Sequence, residues 1–346
     1  MARAFRERAL VQLVLVRYRE FFREPEAVFW VFVFPILLAA GLGIAFSQRA
    51  PEKTPVGLTE GAADLQAALA ADTTLTVSVL ADSAAARALR SGRLALVVTR
   101  DGGSIVYRFD PARPESQVAR LAADGALQRH GGRADPVATT DEVHQEPGAR
   151  YIDWVIPGLL GMNLLGSGMW GLGFTIVDSR RKKLLKRLIA TPMPRGQYLA
   201  SFLISRLSLL VVEVAVFVGF GMLAFGVPMR GAVGTFILLC LLTALTFSAL
   251  GLLVASRAQT VEGVSGLMNL VMLPMWIFSG VFFSSERFPA VAQPLIQALP
   301  LTAAVDAFRL HMLEGAGLAA LLPEMGILAA WLVVSFGVAL RVFRWR

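Results

Sequence analysis

The chain has 346 residues, of which 55% are apolar and 17% charged, and its mean hydropathy of +0.61 excludes an ordinary water-soluble globular protein. The net charge of +8 does not point to nucleic acid, because residues 48–150 carry 12 basic and 13 acidic side chains and the whole excess belongs to the apolar remainder. A single cysteine, Cys240, excludes an intramolecular disulfide and any cysteine-based zinc site.

Residues 1–26 place Leu10, Leu13, Val14, Arg17, Tyr18 and Phe21 at helical spacing before Pro25. This predicts an interfacial amphipathic helix on the cytoplasmic surface, serving either as an anchor with snorkelling arginines or as a partner contact. Residues 27–48 are free of charge and long enough to cross a bilayer. With some 25 residues before it and no small-x-small cleavage site after it, this stretch reads as a retained anchor rather than a signal peptide.

The next 102 residues, 49–150, have a soluble composition and predict an inserted extracytoplasmic α/β domain. Strands are expected over 55–58, 75–80, 94–99 and 105–109, where Val, Thr, Leu and Ile concentrate. Helices are expected over 62–71, 84–91 and 117–130, the last two ending at Gly92 and Gly131, in the order β-α-β-α-β-β-α.

Five more apolar stretches follow, at 154–177, 199–226, 231–256, 263–285 and 318–340. The third span of the chain contains Arg206 and Glu213, and the sixth has Glu324 near its start. The fold class is therefore an all-α polytopic membrane protein with six transmembrane helices plus the inserted α/β domain. Basic residues orient it: with both termini cytoplasmic, 17 fall on the inner side and only Arg230, Arg287 and Arg309 in the short outer loops.

Several constellations stand out. Between the second and third spans, Leu184, Leu185 and Leu188 line one face of a short helix over about 180–191, with Arg180, Arg181, Lys182, Lys183, Lys186 and Arg187 around it and Pro192 and Pro194 after it. It reads as a lipid-surface helix or as a docking helix for a cytoplasmic partner. From about 284 to 314, Pro289, Pro294 and Pro300 break an apolar run too short for two more spans, which predicts a segment that enters the outer leaflet and turns back. Asp306 and Arg309 are spaced to pair there.

Glu213 lies deep in the third span and must face the bundle interior, be protonated or bond to polar neighbours, with Asn163 and Asn269 as candidate partners. Arg206, about 10 Å away along the helix, is expected to snorkel to the cytoplasmic surface. A register-holding contact and a role in the translocation path or its gating both remain open for Glu213. Gly161, Gly168, Gly263 and Gly266 permit close helix approach, within one subunit or between two.

No lysine follows a glycine, so the phosphate-binding loop G-x-x-x-x-G-K-[ST] is missing from the sequence. His130, His144 and His311 are isolated, and no G-x-S-x-G elbow occurs, which argues against an enzyme.

With ATPMPRGQYL after the basic helix, SGVFF followed by FP, LPLT and DAFR after the fifth span, and the six-span pattern, the chain resembles the membrane subunit of an ABC transporter. It is similar to the type-2 export permeases, in the branch with a large extracytoplasmic domain after the first helix. The resemblance implies two permease subunits in a bacterial cytoplasmic membrane, each docked through the 180–191 helix on a separate ATPase that binds ATP and Mg, with none in this chain. It further implies export of an amphipathic or lipid-like cargo. The alternative is a non-transporting membrane sensor whose outer domain binds a ligand.

Overall fold

The computed structural model describes residues 2–46, 53–133, 148, 150–181, 195–258 and 260–342, and it divides into a helical unit (1–47 with 145–346) and a sheet-containing unit (48–144). The helical unit opens with α1 (Ala2–Arg23) and α2 (Pro25–Ala45). Within α2, Phe29–Val33 form a π-helical turn. Pro35 accounts for the irregularity: it has no N–H to give to the carbonyl of Val31, four residues back, and its ring crowds that carbonyl.

Unit 48–144 is built on a four-stranded sheet of β1 (Thr54–Thr59), β2 (Leu75–Leu80), β3 (Leu96–Asp101) and β4 (Ser104–Phe109), in the order β2-β1-β3-β4. β1 pairs parallel with β2 and β3, and β4 closes the edge antiparallel to β3. Gly102 and Gly103, with φ of +55° and +95°, make the two-residue turn between β3 and β4, which needs the left-handed region at both positions. A turn of 3₁₀ helix (Glu60–Leu65) leads into α3 (Gln66–Ala70), followed by α4 (Asp82–Arg90) and α5 (Pro114–His130). One sheet face buries Val56, Leu58, Leu96 and Val98 beneath Leu69 of α3 and Ala119, Ala123 and Leu127 of α5. The other buries Val97 with Ala85 and Ala88 of α4.

The helical unit continues with α6 (Tyr151–Arg181), α7 (Arg195–Phe225), α8 (Val233–Ala255) and α9 (Val261–Phe278). It ends with α10 (Gln293–Gln297), α11 (Pro300–Glu314) and α12 (Leu322–Val342). α6 is the axis of the bundle. Ile156, Leu159, Leu160, Leu164, Leu165 and Met169 are all fully buried, as expected for a helix that is apolar on every side and enclosed by α2, α7, α8, α9 and α11.

Among the described residues, five helical stretches are long and apolar enough to cross a membrane, Pro25–Ala45, Ile204–Phe225, Val233–Ala255, Val261–Phe278 and Leu318–Val342, and the bent pair Ala290–Gln297 and Pro300–Glu314 adds one more if it counts as a single broken element. The chain is thus a multi-pass membrane protein. The bent pair meets at 83° over the stretch where three prolines interrupt the apolar run. One boundary needs correction: the apolar stretch 263–285 is helical only to Phe278. Ser279 caps α9, and Gly280 at φ +74° then turns the backbone into a conformation a helix cannot continue.

Candidate functional site

The deepest polar cluster joins α6 and α7. Glu213, 1% exposed, has neither carboxyl oxygen hydrogen-bonded among the described residues, and Arg206 is the positive charge acting on it. Arg206 donates from Nη2 to Ser167 Oγ at 3.0 Å. The expectation that Arg206 snorkels to the surface is therefore corrected. Ser167 and Gly171 leave a shallow channel on α6 in which the guanidinium lies, 3.1 Å from where a Cβ of Gly171 would be. A charge held there is better off beside a counter-charge and a hydroxyl than facing hydrocarbon.

The candidate partners of Glu213 are elsewhere. Asn163 donates from Nδ2 to the carbonyl of Val31 at 3.4 Å, the very acceptor that Pro35 leaves without a helical donor. Asn269 is exposed on the flank of α9 beside Leu270. A proline in one span and an asparagine in another are both visible in the sequence; their meeting is not.

At the end of the bundle where residues 48–144 are inserted, hereafter the insertion end, a second polar network gathers. Arg309 of α11 lies over the ring of Trp154, its guanidinium carbon 3.6 Å from the centroid. It donates from Nη2 to Gly280 O at 2.5 Å and from Nε to Trp154 O at 3.2 Å. Asp306 does stand beside it, at 3.7 Å, but the backbone carbonyls make the closer contacts. Tyr151 donates from its hydroxyl to Phe282 O at 2.8 Å.

Asp153, fully buried, accepts from Arg150 Nε and Nη2 and from the N–H groups of Gly148 and Arg150, all within 3.2 Å. Arg150 Nη2 also donates to Phe225 O, the free carbonyl end of α7. His311, also buried, has Nδ1 2.9 Å from Ala316 O and Nε2 3.1 Å from Ala232 O, tying α11 to the entry of α8. Gly231 packs against its ring where no Cβ fits.

At the opposite end, α1 packs along α7, with Tyr18 donating to the hydroxyl of Ser208. The basic helix expected over 180–191 falls almost wholly outside the described residues. Only the backbone of Arg180 and Arg181 is described, as the end of α6, and Lys182, Lys183, Leu184, Leu185, Lys186, Arg187 and Leu188 lie beyond it.

Two of the four glycines, Gly161 and Gly168, pack against other helices of the same chain. A Cβ on Gly168 would come 2.8 Å from Phe247 Cβ of α8, and one on Gly161 would come 3.0 Å from Val305 of α11. Gly251, not singled out in the sequence, is the counterpart on α8: its Cβ would lie 2.8 Å from the backbone of Met169. Gly266 has open space around it, and Gly263 faces only Thr260.

Residues 113–313 match the family described as ABC-2 type transporter. The chain belongs to that family. This ABC-2 protein is 26% identical over 193 residues to the inner membrane transport permease YadH of Escherichia coli K12, an alignment covering 55% of this chain and 73% of YadH. It is 24% identical over 176 residues to the linearmycin resistance permease protein LnrN of Bacillus subtilis, covering 51% of this chain and 46% of that one. Nodulation protein J of Bradyrhizobium diazoefficiens is 36% identical over 106 residues, covering 30% and 40%. The bundle, with its buried charges and its broken pair near the insertion end, is thus an ABC transporter permease.

Proposed function

We propose that the chain is the permease subunit of an ATP-driven exporter that pairs with a second permease subunit and is powered by a separate cytoplasmic ATPase. The observation that supports this best is the length of α6 and α7. Each has 31 residues, about 46 Å at 1.5 Å per residue, against a hydrocarbon core of roughly 30 Å. Both are therefore longer than that core is thick, which leaves their ends at Arg181 and Arg195 room to stand outside it, where a soluble partner can reach. The sequence contains no phosphate-binding loop, so ATP and Mg belong to that partner.

In this reading six spans cross the membrane, both termini are cytoplasmic and residues 49–150 are extracytoplasmic, the orientation in which 17 basic residues face inward. The membrane is the bacterial inner membrane, as the name of YadH suggests. The apolar bundle suits an amphipathic or lipid-like cargo, and the resistance role in the name of LnrN agrees with efflux.

Co-purification with candidate ABC ATPases, followed by a screen for compounds that stimulate ATP hydrolysis, tests the reading. Stimulation by an amphipathic compound, abolished when the permease is left out, is the expected result. Failure to bind any ATPase would sink it.

A further inference from the structure

We propose that Tyr151 and Arg309 form a latch through which the stems of the inserted segment hold the loop 279–283 against α6, so that displacement of the stems opens this loop. The argument starts from backbone accounting. After Phe278 the chain leaves α9, and the carbonyls of Gly280 and Phe282 have no helical donor of their own. In a hydrocarbon setting a carbonyl without a donor is costly, so whichever groups supply the donors decide where the loop rests.

Two side chains supply them. Arg309 Nη2 reaches Gly280 O at 2.5 Å and the Tyr151 hydroxyl reaches Phe282 O at 2.8 Å. The loop then lies so close to α6 that a Cβ on Gly158 would come 2.8 Å from Val281 O. Both donors are anchored at the point where the chain returns from residues 48–144. Tyr151 packs on Phe46, the last described residue before the insertion, at 4.2 Å between ring centroids, and on Trp154 at 6.1 Å. Arg309 lies on the same Trp154 and bonds its carbonyl.

One residue earlier, Arg150 ties the returning stem to Phe225 O and Asp153. The exit at Phe46, the return at Arg150 and the loop 279–283 are therefore one connected set of contacts, and the stems cannot shift without straining the two donors. Every hydrogen bond in the set is charge-assisted or made to a carbonyl that lacks a donor within its own loop, so the closed arrangement is strongly preferred over partial ones.

The test needs neither cargo nor ATP, so a failed transport assay and a failed latch are told apart; only the use of the opening in export rests on the proposed function. In a full-length Cys240→Ser chain in lipid nanodiscs, Val281→Cys places a thiol at a fully buried position of the loop, and its rate of maleimide labelling reads the open fraction. Arg309→Gln, Tyr151→Phe and Arg150→Gln should each speed labelling about fivefold to tenfold, while Leu295→Cys, 71% exposed, labels at the same rate in all backgrounds. Arg150→Gln is the deciding variant, because the side-chain hydrogen bonds of Arg150 go to Asp153 and Phe225 O, outside 279–283. Melting curves verify folding, and Arg309→Lys or Arg150→Lys replaces a variant that does not fold. Unchanged labelling of Val281→Cys in a folded Arg309 or Arg150 variant would overturn the latch.

Discussion

Arg206 on α7 donates to the hydroxyl of Ser167 on α6 at 3.0 Å, while Glu213, seven residues along the same helix, is buried with neither carboxyl oxygen hydrogen-bonded among the described residues. Arg206 and Glu213 act on each other as opposite charges, and the hydrogen bond of Arg206 goes across to α6. The Arg206 contact holds the rotation of α7 about α6, since turning either helix by one residue would take the guanidinium away from that hydroxyl.

Removing the carboxylate charge should therefore destabilise the bundle. Glu213→Gln removes the opposite charge acting on Arg206, a loss smaller than the ~3 to 5 kcal/mol of breaking a directly paired buried salt bridge, since Arg206 is half-buried and hydrogen-bonds Ser167 instead. The expected result is a lower melting temperature in detergent, partly recovered in the double variant Arg206→Gln/Glu213→Gln. A variant that melts like the parent and yet loses export would show that the ionisable group works in transport rather than in packing.

Gly251 and Gly168 face each other's helices at distances that exclude a Cβ. Gly251→Val and Gly168→Val should each separate α6 from α8 and cost about 1 to 3 kcal/mol or more, since the clashing atoms are backbone and Cβ rather than flexible side-chain ends. Gly266→Val, in open space, serves as the reference and should melt like the parent if α9 has no neighbour there. A marked loss of subunit pairing in Gly266→Val would instead reveal that face as an interface between two copies.

The distribution of basic residues predicts that positions 100 and 129 are accessible from outside the cell and positions 187 and 344 from the cytoplasm. Single cysteines placed there in a Cys240→Ser background, labelled in intact cells with an impermeant maleimide, read this directly. Strong labelling at position 187 would invert the map.

Leu185→Asp should uncouple ATP hydrolysis from transport while leaving the spans folded, because burying a leucine in a partner's groove contributes ~1.5 to 3 kcal/mol and an aspartate removes that contribution. ATPase activity and export are measured in the same preparation. If both persist at parental levels, the 180–191 segment is a lipid-surface helix only.

In unit 48–144, Asp72 Oδ1 accepts from Thr74 through its hydroxyl at 2.6 Å and its backbone N–H at 3.0 Å, and Arg129 lies 3.4 Å from Oδ2. The Thr74 hydrogen bonds, helped by Arg129, hold the carboxyl below the usual carboxylate range. A depressed folded value means stability that is present above the unfolded value and lost as pH falls through the folded one. The unit's melting midpoint in the full-length chain should therefore drop below about pH 4, and Asp72→Asn should flatten that acid limb. An unaltered acid limb in Asp72→Asn would assign the transition to other carboxyls.

How much of this was legible beforehand follows the range of the interactions. The strands of unit 48–144 announce themselves through short runs of Val, Thr and Leu, and β2 spans 75–80 as the runs imply. The apolar stretches likewise mark the helices of the bundle, because a bilayer imposes length and composition on each element separately. Even the end of α9 at Phe278 had a local signal in Ser279 and Gly280, one that hydropathy alone passed over.

The sequence by itself thus determined the membrane class, the course of the apolar helices, the inserted α/β unit and the residues in need of partners: Glu213, Arg206, Asn163, Asp306 and Arg309. Which partner each one takes was decided only by the tertiary structure. Asn163 finds Val31 132 residues away, Arg206 finds Ser167 on a different helix, and Arg309 turns from its neighbour Asp306 toward the carbonyl of Gly280. Hydrocarbon makes every polar group seek a donor or an acceptor, but it does so without regard to position in the chain. The choice is made by where glycines such as Gly168 and Gly251 let two helices approach, and by where prolines such as Pro35 free a backbone carbonyl.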